Sequence, residues 1–187
     1  MRIVLLGAPG SGKGTQATIL KDRLGVAHIS TGDLLRAQVA AGTPLGVEAK
    51  AVMARGELVS DGIVLGMLEA RMAESDVARG YILDGYPRNV AQCQALDTLL
   101  ERIGMPVGHA VQLDVDEQIL LERIGERARK EGRADDSPDS VKHRLCVYQD
   151  QTRPVVDFYA GKGLLKRIAG TGSVAEISAR ILAAIGA

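Results

Sequence analysis

The sequence predicts an α/β protein in which a five-stranded parallel sheet carries helices on both faces, and three observations lead there. Short apolar runs recur at residues 2–6, 27–30, 81–84, 110–114 and 165–168. Longer stretches with helical periodicity separate them, the alternation expected when each strand crosses over through a helix to a parallel neighbour. The polar residues with chemical potential fall just after the runs, at 7–15, 30–36 and 84–88, where such sheets bind ligands, beyond the carboxyl ends of their strands. At 187 residues the chain suits one domain that buries about 70% of its unfolded surface.

The first run, Ile3-Val4-Leu5-Leu6, leads into Gly7-Ala8-Pro9-Gly10-Ser11-Gly12-Lys13-Gly14-Thr15 and then into a helical stretch. Glycines at this density let backbone N–H groups turn inward around an anion. Lys13 adds a point charge toward the β- and γ-phosphates, and the helix adds its positive N-terminus. This is the order of parts in a phosphate cradle. The usual pattern puts Ser or Thr directly after the lysine to hold magnesium, but here Gly14 takes that place and the hydroxyl arrives at Thr15. Magnesium is therefore expected to rest mainly on nucleotide oxygens, water and a carboxylate elsewhere.

After the second run, residues 30–59 read as an inserted flap of two short helices. Ser30-Thr31-Gly32-Asp33 has cap spacing, Gly42 ends the first helix, Thr43-Pro44 opens the second and Gly56 ends it. Its apolar residues are largely Ala and Val, so the flap is expected to bury little area, pack weakly and move. The third run, Tyr81-Ile82-Leu83-Asp84, ends on a carboxylate that would face the cradle across adjacent strands, the natural partner of magnesium through water. An Asp before Gly also suits a simple turn. Gly85-Tyr86-Pro87-Arg88 then forms a tight turn that aims Arg88 into the cleft, with Pro87 a candidate for a cis bond.

A second insertion spans residues 126–136, a polar run followed by Ser137-Pro138-Asp139, a strong helix start. Arg123 and Arg127 lie four apart on one helix face and Arg144 about two turns into the next helix, so these arginines and Arg133 can converge.

Composition excludes several classes of function. The formal charge is +0, with 23 basic and 23 acidic side chains, which argues against nucleic acid bound on a broad basic face. Hydrophobic residues make up 46% of the chain, yet no apolar run reaches the ~18 residues of a membrane span. With no cationic leader visible, the cytoplasm is the expected location, and with no exposed apolar stripe a monomer is the default. Cys93 and Cys146 lack metal-ligand spacing and are expected to be core thiols. His28, His109 and His143 form no recognisable cluster.

The motifs GAPGSGKGT, STGDLLR from Ser30 to Arg36, DGYPR from Asp84 to Arg88 with Gln92 beyond it, Arg123 with Arg127, Arg133-Ala134-Asp135-Asp136, and Arg144 resemble the short-lid adenylate kinases, within the nucleoside monophosphate kinases. The likeness runs along essentially the whole chain. It implies the three-layer P-loop NTPase fold, with 30–59 as the NMP-binding flap and 126–136 as a short lid. It further implies that Gly10, Ser11, Gly12, Lys13, Gly14 and Thr15 bind the phosphates of ATP and that Arg127 reaches over the ATP side. Gly172, in the turn Gly170-Thr171-Gly172, would meet adenine through its backbone. For AMP the resemblance implies Thr31, Arg36, the Glu57-Leu58-Val59 backbone, Gly85, Tyr86, Pro87, Arg88 and Gln92, with Arg133 and Arg144 shared near the transferred group. Lys13, Arg88, Arg123, Arg133 and Arg144 then form the catalytic set, and Asp84 serves magnesium. Mg2+ with ATP is the implied cofactor. The span from Arg127 to Arg133 is too short for the long lid with its four metal ligands, so no zinc is expected.

Related uridylate and cytidylate kinases tend to carry Ala in place of Thr31 and Asn in place of Gln92, so both positions favour AMP. A glutamine amide offers a donor and an acceptor to the edge of adenine. Tyr86 stands where many relatives have Phe, a change expected to be neutral. The implied reaction is reversible transfer of a phosphoryl group from MgATP to AMP, giving two ADP, with cations neutralising the moving charge and closure expelling water. UMP or CMP as acceptor is the alternative within the same family. A nucleotide-sensing switch is the alternative outside it, and the Asn-Lys-x-Asp base-reading motif of such switches does not occur in the chain.

Overall fold

The computed structural model describes residues 1–132 and 136–187. Arg133, expected in the site, lies outside the described residues together with Ala134 and Asp135. Five strands form where the apolar runs predict them: β1 (Arg2–Leu6), β2 (Ala27–Ser30), β3 (Tyr81–Asp84), β4 (His109–Asp114) and β5 (Leu165–Ala169). They make one sheet in the order β2-β3-β1-β4-β5, and every pairing is parallel. The helices between them are α1 (Lys13–Leu24), α2 (Thr31–Ala40), α3 (Pro44–Ala54), α4 (Asp61–Met72), α5 (Val90–Arg102), α6 (Glu117–Glu131), α7 (Pro138–Val147), α8 (Arg153–Gly161) and α9 (Val174–Ile185). A single π-helical turn, Tyr148–Thr152, joins α7 to α8.

Alternation of side chains along each strand divides the core between the two faces of the sheet. Ile3, Leu5, Ile82, Val111, Leu113 and Ile168 pack with Ala17 and Leu20 of α1 and with Ile177, Ile181 and Ile185 of α9. Val4, Leu6, Ile29, Tyr81, Leu83 and Ala110 meet Leu68 of α4, Leu96 and Leu100 of α5, and Val155 and Tyr159 of α8. Apolar cover on both sides is why the strands read as continuous apolar runs rather than alternating ones. No helix among the described residues is long and apolar enough to cross a membrane.

The register sets the site. Leu5 pairs with Asp84, and Asp84 with Ser30, so β1, β2 and β3 end level with one another. The loop from Gly7, the start of α2 and the turn from Gly85 therefore open on the same edge. Local signals fix where the helices begin: the hydroxyls of Ser30, Thr43 and Ser137 accept the N–H groups of Asp33, Gly46 and Ser140 at 3.2, 3.0 and 3.3 Å. One buried polar link crosses between elements. The amide of Gln16 donates through Nε2 to Val174 O at 3.0 Å, while Ser178 Oγ donates to its Oε1 at 2.6 Å, tying the start of α1 to α9.

Two expectations change. Residues 30–59 pack on the main domain more closely than their composition suggests, because Leu35, Ala49 and Val59 enter the same apolar cluster as the sheet; within the segment, α2 and α3 approach at Gly46, where a Cβ would stand 2.0 Å from Gln38 O. Close backbone contact here replaces bulky side chains. Cys93 is a core thiol as expected, but Cys146 is exposed. The buried residues of α7 are only Ser140 and Val141, so position 146 falls on a face that the core does not reach.

Replacing Gly46 by Ala forces α2 and α3 apart and is expected to cost about 1–3 kcal/mol, the usual range for overpacking. Urea denaturation measures that loss. The same variant should raise the KM of a substrate held by the flap more than that of one held by the glycine loop.

Candidate active site

At the carboxyl edge of the sheet lies a cavity of about 470 Å³, lined by the glycine loop, the start of α2, the strap at 56–59, the β3–α5 turn, and residues of α6, α7 and the π-helical turn. Its wall carries Gly10, Gly12, Lys13, Gly14 and Thr15 on one side, and Thr31, Arg36, Glu57, Leu58 and Val59 on another. Asp84, Gly85, Tyr86, Pro87, Arg88 and Gln92 continue it, and Arg127 and Arg144 complete it. The Tyr86–Pro87 bond is cis, as the turn suggested.

The glycine loop is shaped around its own cation. Gly12 caps α1 in the left-handed region, with φ 94°, which spares the site a strained side chain. Lys13 folds back and donates through Nζ to Gly7 O at 2.8 Å, Ala8 O at 3.0 Å and Ser11 Oγ at 3.4 Å. Burial, helped by the nearby charges of Arg88, Arg144 and Arg127 and opposed by the attraction of Asp84, lowers its pKa to about 8. Such an ammonium is held short of negative charge.

Asp84 faces it from β3. Burial opposes ionisation of this carboxyl, but the imidazole of His28 and the ammonium of Lys13 outweigh it and hold Asp84 below the ordinary carboxylate range. His28 Nε2 stands 3.8 Å from Asp84 Oδ2, beyond ordinary hydrogen-bond length, and this buried nitrogen has no hydrogen-bond partner among the described residues. Gly14 leaves the carboxylate open to the loop, since a Cβ there would lie 3.5 Å from Asp84 Oδ2. Among the described residues no three His, Cys, Asp or Glu side chains gather to hold a metal. One carboxylate beside a phosphate loop suits magnesium, which keeps most of its ligands from water and phosphate.

On the other side of the cavity, Gly85 O accepts from Thr31 Oγ1 at 2.9 Å and from Arg88 Nε at 2.7 Å, fixing both side chains to the turn. Gln92 is buried; its Oε1 accepts Arg88 N–H at 2.7 Å and its Nε2 donates to Asp61 Oδ1 at 2.7 Å. Arg36 rests on Asp33. Arg127 grips Asp136 through two bonds of 2.8 and 2.6 Å, and Arg144 reaches the same carboxylate at 3.0 Å. The side chain of Asp136 is wholly buried.

Three residues singled out in the sequence do not line the cavity. Ser11 is buried beneath the loop. Arg123 does not join Arg127 and Arg144 on Asp136; it donates to Gly170 O at 3.0 Å and Ser11 O at 3.4 Å, bridging two loops by their backbones. Gly172 sits at the head of α9, in a turn pinned by Arg180, which donates to Ala169 O and Thr171 O at 2.8 and 2.7 Å. Sequence reasoning also passed over His28, Tyr148 and Thr152, which line the cavity. Strand spacing could have found the first, since His28 lies two residues before Ser30 on β2 and so shares its face.

The family model described as Adenylate kinase matches residues 5–164. Adenylate kinases of Stenotrophomonas maltophilia and Xanthomonas euvesicatoria pv. vesicatoria are similar throughout. The first is 65% identical over 185 residues, 99% of each chain, and the second 63% identical over 186 residues, 100% of each. The chain belongs to the adenylate kinase family. The adenylate kinase of Xanthomonas campestris pv. campestris aligns as completely, at 63% identity over 186 residues, and these names remove the uridylate or cytidylate alternative. The adenylate kinase model stops short of β5 and α9, but the relatives span both, with the Gly170–Gly172 turn between them.

An adenylate kinase site with a half-buried, underpaired lysine should take up protons when a polyphosphate enters. Anion binding favours the ammonium and so raises its pKa from the unliganded value of about 8. At about pH 8 a nucleoside triphosphate should therefore bind with uptake of close to half a proton, falling toward zero about two pH units lower. Titration calorimetry in buffers of differing ionisation enthalpy measures this, and Lys13→Met should abolish it.

Proposed function

We propose that the cavity takes MgATP on the Lys13 side and AMP on the Arg88 side, and passes the terminal phosphoryl group between them to give two ADP. Membership of the family makes the chain a phosphotransferase. One observation carries the detailed reading: the glycine cradle with Lys13 and the wall of Thr31, Arg36 and Arg88 share a single cavity with Arg127 and Arg144. Two phosphorylated ligands facing one another suit that arrangement better than one nucleotide and a water.

Phosphoryl transfer needs positioning and charge neutralisation more than covalent help. An oxygen of the AMP α-phosphate attacks the γ-phosphorus of ATP in line. The new P–O bond forms as the bond to the β–γ bridging oxygen breaks, and that oxygen leaves with ADP. We assign Gly10, Ser11, Gly12, Lys13, Gly14 and Thr15 to the ATP phosphates, Arg127 to the ATP side and Gly172 to adenine. On the AMP side we assign Thr31, Arg36, Glu57, Leu58, Val59, Gly85, Tyr86, Pro87, Arg88 and Gln92. Lys13, Arg88, Arg123, Arg133 and Arg144 form the catalytic set. For Arg123 this means leaving or sharing its two backbone carbonyls. Magnesium, held chiefly by phosphate oxygens and by water on Asp84, would supply further neutralisation.

Residues 30–59 and 126–136 act as flap and lid, excluding water that would otherwise consume ATP. A monomer in the cytoplasm suffices for this chemistry. In support, among the described residues the exposed large hydrophobics Val47, Val90, Leu121 and Val174 lie on four different helices, with Met1 and Ile103 outside any helix.

A panel of acceptors assayed by ADP release should show AMP far ahead of UMP and CMP, and an equal rate with all three would overturn the reading. Lys13→Met should lower kcat at least ~10³-fold, the loss expected for one charge contact to the moving group, with a two-state melt. Near-normal turnover would remove Lys13 from the phosphate site. Thr31→Ala should weaken the preference for AMP while leaving the KM for ATP within about threefold, a range worth less than ~1 kcal/mol.

A further inference from the structure

We infer that Asp61 is a positioning residue for base selection: it locks the Gln92 amide in the one orientation that accepts a 6-aminopurine and rejects a 6-oxopurine. The inference rests on the reading of Gln92 as a contact to the acceptor base, and adds to it the residue that sets the polarity of that contact.

An amide side chain can present its oxygen and nitrogen either way round, and only its surroundings decide which. At Gln92 the surroundings are unequivocal. Oε1 accepts the backbone N–H of Arg88 at 2.7 Å, while Nε2 donates to Asp61 Oδ1 at 2.7 Å. A backbone N–H can only donate and a carboxylate can only accept, so turning the amide over would set donor against donor and acceptor against acceptor. Asp61 is itself held, because Asn89 Nδ2 lies 3.2 Å from each of its oxygens. Asn89 in turn accepts Gln92 N–H at 2.8 Å through Oδ1, which fixes the backbone that carries the amide. The cluster joins the start of α4 to the start of α5, and Gln92 is the member that lines the main cavity.

This bonding leaves Gln92 with one Nε2 hydrogen and one Oε1 lone pair. Adenine offers an acceptor at N1 beside a donor at its 6-amino group, and the two patterns match. Hypoxanthine reverses both, with a donor at N1 and an acceptor at O6. A locked amide therefore meets IMP with like groups opposed and left unpaired, the situation that makes polar sites discriminate strongly. An unlocked amide could turn over and accept either base.

The test compares kcat/KM for AMP with that for IMP in the full-length enzyme. Asp61→Ala should lower the AMP-to-IMP ratio about tenfold, the factor that one hydrogen bond of ordinary net strength supplies. The change should appear in the KM of the acceptor, with the KM for ATP unmoved. Asp61→Asn, which keeps an acceptor of the same shape, should retain most of the ratio, an outcome that mere loss of stability would not give. If the alanine variant melts below the assay temperature, Asp61→Ser, suited to the first turn of a helix, carries the same comparison. A folded Asp61→Ala or Asp61→Ser enzyme with the wild-type ratio, or an Asp61→Asn enzyme as unselective as Asp61→Ala, overturns the lock. If the wild-type enzyme itself uses IMP as readily as AMP, the assignment of Gln92 to the base falls instead.

Discussion

A half-buried ammonium without a full negative partner is the constraint around which the rest of this molecule is arranged. Lys13 has carbonyl oxygens of its own loop and a hydroxyl for company, with Asp84 at a distance. Those dipoles hold the side chain in place but do not return what water would have given the charge. A bound anion would, and the glycine loop lines the cavity beside that charge. Level ends of β1, β2 and β3 then place the start of α2, the turn from Gly85, the carboxylate of Asp84 and the loop on one edge.

The arginines of the cavity wall obey a related logic. Arg127 and Arg144 share the buried carboxylate of Asp136, and Arg36 rests on Asp33. An isolated guanidinium kept out of water would be costly, while a pair with good geometry recovers much of the loss. Buried Asp136 therefore keeps Arg127 and Arg144 ordered at the cavity wall, while the exposed Asp33 orients Arg36. Such pairing gives up some attraction to any further anion and fixes the geometry of the cations beforehand.

The features legible in the sequence are those decided within a few residues. A hydroxyl three positions before an N–H announces a helix start, as at Ser30, Thr43 and Ser137, and an apolar run followed by glycines announces a strand feeding an anion loop. The features that escaped depend on distant partners. Asp61 accepts a hydrogen bond from Gln92, 31 residues on, and Arg123 turns to Gly170 because the fold brings that carbonyl within reach across 47 residues. Helical spacing put Arg123 and Arg127 on one face, but could not say which acceptor each would meet. The seating of residues 30–59 is of the same kind, since Leu35, Ala49 and Val59 join the sheet's apolar cluster only once the fold brings them to it.

The amide of Gln16, next to the end of the glycine loop, finds both its partners on α9, the buried Ser178 being 162 residues downstream. While the chain is being made, β1 and α1 emerge early, yet this footing is missing until the helix from Val174 leaves the ribosome and docks. A nascent chain can thus assemble much of its sheet and still hold a loosely seated loop. Nucleotide, by favouring the seated form, would act on the last step of maturation rather than on the first.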